Sequence, residues 1–381
     1  MSFRPFGGAR RALILVCLVL IAIGCNKGSG ATGDDAGAAS APVVASASAA
    51  PSAAPSASAT SSKSKSDPPN DDDVECENDV CRVGIITEEA KAELEKLSGY
   101  KSKRIHFRDT TSTEQLKTVT MIPWVTKLSL DGCKNVTDIS PLAELKGLRD
   151  FSAEDAEGIV DASPLATLVE LEKLVLSKTA IEKIDFVKAL VKLTKLDISM
   201  TKVTDIGPIA PLTKLTMLGI SQLKAKDLSP LQKLTGLKHL DMTHSELKTA
   251  YILGGMKGMK TLNLSASKEL REISALRIMT EMENLKLDDC PINNVAALSG
   301  MLDLHRLSLA GTKVTTIAPL SNLTELRSFD GQRSAIADFD PLAGSAKSLH
   351  YLGLPKGTTS DQYAAISEAN PRLKPDISKK R

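Results

Sequence analysis

The sequence predicts an α/β fold: a right-handed solenoid in which short parallel strands line a concave sheet and short α or 3₁₀ segments return along the convex side, capped at both ends. Two observations predict it. Apolar pairs that a strand would turn to one side recur from Leu128/Leu130 through Leu174/Leu176, Leu218/Ile220 and Leu285/Leu287 to Leu352/Leu354, eleven times at a spacing of 22 or 23 residues. In "VTDISPL", "VTDIGPI", "KDLSPL", "TTIAPL" and "ADFDPL" a proline then stands where a helical turn begins, at a position whose N–H has no partner in any case.

Ahead of the repeats, "RRALILVCLVLIAIGC" sets Arg10 and Arg11 before thirteen apolar or small residues, Ala12 to Gly24, and then Cys25. At about 1.5 Å per residue that run reaches roughly 20 Å, short of the ~30 Å hydrocarbon layer, so residues 1–24 are expected to be a cleaved export signal and not a spanning helix. The ending "IAIGC" resembles the box of bacterial lipoproteins, which implies cleavage after Gly24 and lipid on Cys25; an ordinary signal peptide is the alternative. Asn26, where aspartate would retain such a protein elsewhere, implies by the same resemblance the outer membrane. Removing residues 1–24 takes away three arginines and no acid, so the formal charge falls from +2 to −1. A nearly neutral chain gives no global reason to expect nucleic acid.

Residues 25–75 are Ala, Ser, Gly and Pro with scattered charges. With almost no large apolar side chain they cannot offset the entropy of ordering, so a disordered tether is expected, with an average reach of roughly 40 Å. The aspartates of "NDDDVECEND" read as solvated charge at its junction with folded material, since no loop of alternating oxygen ligands closed by glycine and glutamate is present.

Each 22- or 23-residue period reads as strand, turn and return. None could bury its leucines alone; stacked, they share one core. The L-x-x-L-x-L pattern resembles the leucine-rich repeat, most closely the 22-residue class of the internalins, over roughly residues 100 to 381. Regular repeats are expected at 125–354, behind an N-terminal cap and irregular first rung (Ile105/Phe107) at 76–124 and ahead of a C-terminal cap at 355–381. Ser140, Ser229 and Asp340 are expected to cap the return turns. Family members often carry an asparagine five residues beyond the first strand leucine. Here that column reads Cys133, Ala156, Thr179, Thr201, Leu223, Ser245, Ser267, Cys290, Thr312 and Ser334, so small hydroxyls and thiols take its place.

Cys133 and Cys290 lie seven rungs apart, roughly 33 Å, far beyond the ~7 Å that a disulfide spans, so both are expected as buried small side chains. Cys76 and Cys81 in "CENDVC" are close in sequence, and a local disulfide pinning the cap is favoured over a metal pair, for which no His/Cys cluster stands nearby. Open solenoid ends need covers. "TEEAKAELEKL" supplies a helix with Ala90, Leu94 and Leu97 on one face in front, and the tail supplies one with Tyr363 and Ile366 behind.

The outward columns that flank the strand leucines define the candidate binding face, with Asp131, Asp150, Lys173, Lys195, Asp197, His239, Asp241, Lys286, Arg306, Asp330 and Tyr351 as candidates. The face is polar, mixed in sign and poor in the aromatic anchors typical of interface hot spots, Tyr351 being the nearest. The resemblance implies a binding protein whose partner is an unknown protein or a cell-wall glycan, attached to the membrane by its lipid and monomeric. A structural or adhesive envelope component without a discrete ligand is the alternative. An enzyme is disfavoured. His106, His239, His244, His305 and His350 form no HExxH motif, no cofactor or metal is called for, and "GGMKGMKT" places Met259 where a phosphate loop needs glycine.

Overall fold

A computed structural model describes residues 74–97 and 99–377; the export signal, Cys25, the tether up to residue 73 and the last four residues lie outside the described residues. Fourteen strands form one sheet in chain order: β1 (Glu75–Glu77), β2 (Val80–Val83), β3 (Arg104–Phe107), β4 (Lys127–Ser129), β5 (Asp150–Ser152), β6 (Lys173–Val175), β7 (Lys195–Asp197), β8 (Met217–Gly219), β9 (His239–Asp241), β10 (Thr261–Asn263), β11 (Asn284–Lys286), β12 (Arg306–Ser308), β13 (Ser328–Asp330) and β14 (Tyr351–Gly353). Every neighbouring pair is parallel except β1 with β2, which form a hairpin. The register places Leu128 against Phe151, Leu174 against Leu196 and Leu307 against Phe329. A single column of strand leucines or phenylalanines therefore runs through the core, none of the eleven more than 2% exposed. This is the leucine-rich-repeat solenoid that the periodicity predicts.

The returns of the regular repeats are 3₁₀ turns; among the described residues α-helix occurs only in the end covers, as α1 (Glu88–Lys96), α2 (Thr113–Leu116) and α3 (Ala364–Ala369). A return must cross the back of the coil within about five residues, and the tighter 3₁₀ turn does this with fewer residues than an α-turn. Proline sits at the first or second position of five-residue returns such as Ser140–Glu144 and Ser163–Thr167. The capping expectation is corrected here. The hydroxyls of Ser140 and Ser229 do not cap the turns; their backbone N–H groups are the ones capped, by the carboxylates of Asp138 (2.8 Å) and Asp227 (2.9 Å), two residues earlier. Asp161, Asp205, Glu272, Asn294 and Asp338 do the same in their repeats. Asp340 is itself capped by Asp338 and accepts from the N–H of Ala365, tying the C-terminal cover to the last return. A side chain that accepts from the backbone two residues on is the geometry of an Asx turn.

One feature of the coils is invisible in the composition. The residue before the small-side-chain column is left-handed in ten of the eleven repeats: Gly132, Asp155, Lys178, Met200, Gln222, His244, Ala266, Asp289, Gly311 and Arg333. Eight of these are not glycine, and a left-handed L-residue costs about 1–2 kcal/mol. The return for that cost is an added rung of hydrogen bonds. The N–H of each residue from Gly132 to Gly311 donates to a carbonyl of the next coil, from Glu154 O to Gln332 O, at 2.7–3.0 Å.

The small column closes the turn that follows. Thr179, Thr201, Thr312 and Ser334 donate their hydroxyls to the carbonyl three residues back at 2.6–2.8 Å. The thiols of Cys133 and Cys290 donate to Arg108 O and Leu264 O in the preceding coil, both at 3.2 Å. Both cysteines are free and buried, and burial pushes their thiols up to about 12 and about 11.

At the front, the hairpin β1–β2 turns at Asn78 (φ 54°), with Cys76 and Cys81 directly opposite and their sulfurs bonded. Glu75 and Glu77 leave this edge strand charged, which discourages further strand addition. Helix α1 starts at Thr87, whose hydroxyl accepts from Ala90 N–H, and buries Ala90 and Leu94 over the first coil. At the back, α3 buries Ile366, and the tail returns so that Asp376 bridges Gly353 in parallel, its N–H donating to Leu352 O (2.8 Å). The described part of the tail, up to residue 377, thus extends the sheet's edge.

Leu285→Ala is expected to lower stability by about 2–5 kcal/mol, read by urea denaturation, because the stacked coils above and below cannot collapse into the void. Asp138→Ala is expected to lower the denaturation midpoint more than Ser140→Ala; the reverse order would show that the serine hydroxyl is the cap.

Candidate functional site

The concave face is built from the side chains that alternate with the core leucines, and the in-register ladder stacks each position into a column. Lys173 and Lys195 are register partners on β6 and β7, unlike the mixed-sign pairs Lys127–Asp150 and Asp150–Lys173 beside them. Lys173, Lys286 and Arg306 are exposed; Asp131, Asp150, Lys195, Asp197, His239, Asp241, Asp330 and Tyr351 are half-buried.

The aspartates of the face are held by the chain itself. Asp131 accepts from the hydroxyl of Ser152 (2.5 Å) and the N–H of Glu154 (2.8 Å). Asp197 accepts from Ser199 N–H, and Asp330 from Gln332 N–H, both at 3.0 Å. Asp241 gathers the Ser221 hydroxyl, the Thr243 N–H (3.1 Å) and the Asn263 amide (3.4 Å). Asp288 repeats the arrangement with the hydroxyls of Ser308 and Ser265 and the N–H of Ala310. These N–H groups belong to residues where the chain leaves the strand, so the carboxylates complete the backbone's hydrogen bonding there. Asp288 belongs with the candidates and is found by the same column rule; so do Asn263 and Asn284, whose side chains link to Asp241 and to Arg306.

Other candidates are occupied differently. Asp150 is ion-paired to Arg104, which the Ile105/Phe107 rung sets in the same column as Lys127. Tyr351 donates its hydroxyl to Asp376 (3.3 Å), and burial with the charges of Asp330 and Asp376 pushes it up to about 12. It therefore closes the solenoid's end and is not free as an anchor. His239 is held below its ordinary range, first by burial, with Glu283 opposing and Lys260 and Lys238 adding to the effect.

A histidine–serine contact, His106 Nδ1 to Ser129 Oγ at 2.8 Å, lies at the front of the face with Asp131 nearby. Ser129 is fully buried, so no substrate can approach it. His106 is also lowered, mainly by burial, with Arg82 and Arg104 assisting and Asp131 opposing. Among the described residues no three His, Cys, Asp or Glu side chains converge as a metal-ligand set.

No protein-family profile and no curated protein matches the sequence. Solved structures do. An internalin, inlF, of Listeria monocytogenes is 20% identical over 76% of this chain and 94% of its own, with a TM-score of 0.64. The Arabidopsis receptor kinase HAESA, solved with the peptide hormone IDA and the co-receptor SERK1, is 17% identical over 67% of this chain and 46% of its own, with a TM-score of 0.51. At these identities the likeness is one of fold: the chain is an internalin-like leucine-rich-repeat solenoid.

Asp241→Ala is expected to cost about 1–3 kcal/mol, since it strands a hydroxyl and a backbone donor, whereas Lys195→Ala should change stability by less than about 0.5 kcal/mol; chemical denaturation separates the two. Both histidines bind protons less readily folded than unfolded, where the ordinary value is 6.5. The unfolded chain therefore takes up protons first as pH falls, so stability is expected to be full above about pH 6.5 and to decline below it. In His106→Gln that decline should be shallower.

Proposed function

We propose that this protein is exported, lipidated at Cys25 and tethered to the cell envelope by residues 25–75, and that it binds a protein partner on its concave sheet as a monomer. The observation that supports the binding reading is a concave face that no other described segment crosses. The tail joins the sheet at its edge, and Lys173, Lys286 and Arg306 stay exposed on the surface that the leucine register turns outward. Nothing on that face is arranged as a reaction centre, while eleven coils of polar, hydrogen-bonded side chains make a stiff platform, which lowers the ordering cost of binding. HAESA, which shares the fold, was solved with a peptide hormone and a second protein, and its likeness supports a polypeptide ligand for this face. The lipoprotein reading rests on the "IAIGC" sequence.

A photo-crosslinking residue in place of Val175 or Lys286 is expected to trap an envelope protein, and the same residue in place of the exposed convex Tyr251 is expected not to. Equal trapping from both sides, or none from the concave side, would sink the reading. Cys25→Ser is expected to move the protein from the membrane fraction to the soluble one.

A further inference from the structure

The two long edges of the concave sheet carry opposite charge, and only one of them is free. At the leading edge, the two positions before the first strand leucine hold eight Lys or Arg over the eleven repeats against three acids, Asp150, Glu172 and Glu283. All three acids are already paired, with Arg104, Arg149 and Lys260. Lys127, Lys173, Lys195, Lys238, Arg306 and Arg327 have no carboxylate partner among the described residues. Lys173 and Lys195 are register partners, their backbones roughly 4.8 Å apart across the ladder, so two cations of the same column stand on adjacent strands. At the trailing edge the sign reverses, but Asp131, Asp197, Asp241, Asp288 and Asp330 are engaged by the chain's own N–H groups. The whole chain carries only +2, so the basic edge does not follow from composition.

We infer that the leading edge is the recognition element, and that it takes an extended acidic segment of a protein partner laid across the strands. The inference rests on the concave-face reading and supplies its chemistry. The unpaired cations run from β4 to β13, nine strand spacings or roughly 43 Å, which matches about thirteen extended residues. The two edges are only about 10 Å apart, close to one Debye length, so an occupant of the sheet feels both. A uniform polyanion, such as a sulfated glycan or nucleic acid, is drawn to one edge and repelled by the other. A polypeptide can turn carboxylates to the leading edge and amides or bases to the trailing one.

The test uses the full chain and three probes: a fluorescent peptide of about fourteen residues with glutamate at alternate positions, its glutamine twin, and dextran sulfate. At about 50 mM salt the acidic peptide is expected to bind at least about tenfold more tightly than the twin and to weaken as salt rises. Lys173→Glu/Lys195→Glu should abolish that preference, and Lys224→Glu/Lys313→Glu, on the exposed flank, should not; circular dichroism checks that both variants are folded. Equal binding of the two peptides, an unchanged preference in the Lys173/Lys195 variant, or dextran sulfate outcompeting the acidic peptide would each overturn the inference. Any of those results alongside successful concave crosslinking would leave the binding reading standing, whereas failed crosslinking removes that reading first.

Discussion

Everything in this molecule depends on the parallel ladder staying in one register. Because each coil adds 22 or 23 residues and each strand pairs its neighbour at the same three positions, whatever a position does is repeated every 4.8 Å or so along the sheet. For apolar residues this is favourable, since leucine stacked upon leucine makes one continuous buried core. For charged residues it sets like beside like unless the sequence alternates. The chain alternates Lys127, Asp150 and Lys173 in this way, then stops alternating at Lys195. A slip of one residue would turn the polar columns inward, so the leucine column fixes the identity of the binding face as firmly as it fixes the core.

The left-handed residue of those ten coils follows from the same constraint. To leave a three-residue strand and still offer one more N–H to the next coil, the backbone must turn sharply just before the small column. The side chains at that place are Asp, Lys, Met, Gln, His, Ala and Arg as well as Gly, residues with no shared preference for the conformation. Tertiary stacking imposes it, and the hydrogen bond to the next coil compensates. The hydroxyls of Thr179, Thr201 and Thr312 donate to their own coil's carbonyls, so those turns are satisfied without an asparagine at that position.

How far the sequence could be read follows from this. The strand pairs, the prolines of the returns and the apolar faces of both end covers were legible because burial selects residue type directly. The caps are visible as Asp138 in "VTDIS" and Asp227 in "KDLS", but the serine beside proline matches the same capping preference, and sequence alone does not separate the two. The left-handed column was illegible, since local propensity there is overridden. On the face, the column rule placed Lys173, Asp197 and Asp241 correctly on the outward side. It could not tell an aspartate consumed by backbone donors from a lysine left free, because that difference depends on where the chain turns away from the strand. Lys238 and Arg327 escaped because they sit two residues before the strand leucine, where the chain is still approaching the sheet.

That difference separates structural charge from surplus charge. The trailing carboxylates have a cause inside the fold: backbone N–H groups at the strand exits need acceptors, and an aspartate supplies one at each. The leading cations have no such cause. Their attraction to carboxylates about 10 Å away is worth only about 0.4 kcal/mol in water before salt screens it, too little to hold six long side chains in place. Lys173 and Lys195 are neighbours on β6 and β7 with no carboxylate between them, although an aspartate occupies the same column one coil earlier. Charge that the described fold neither needs nor pairs is charge left available for recognition.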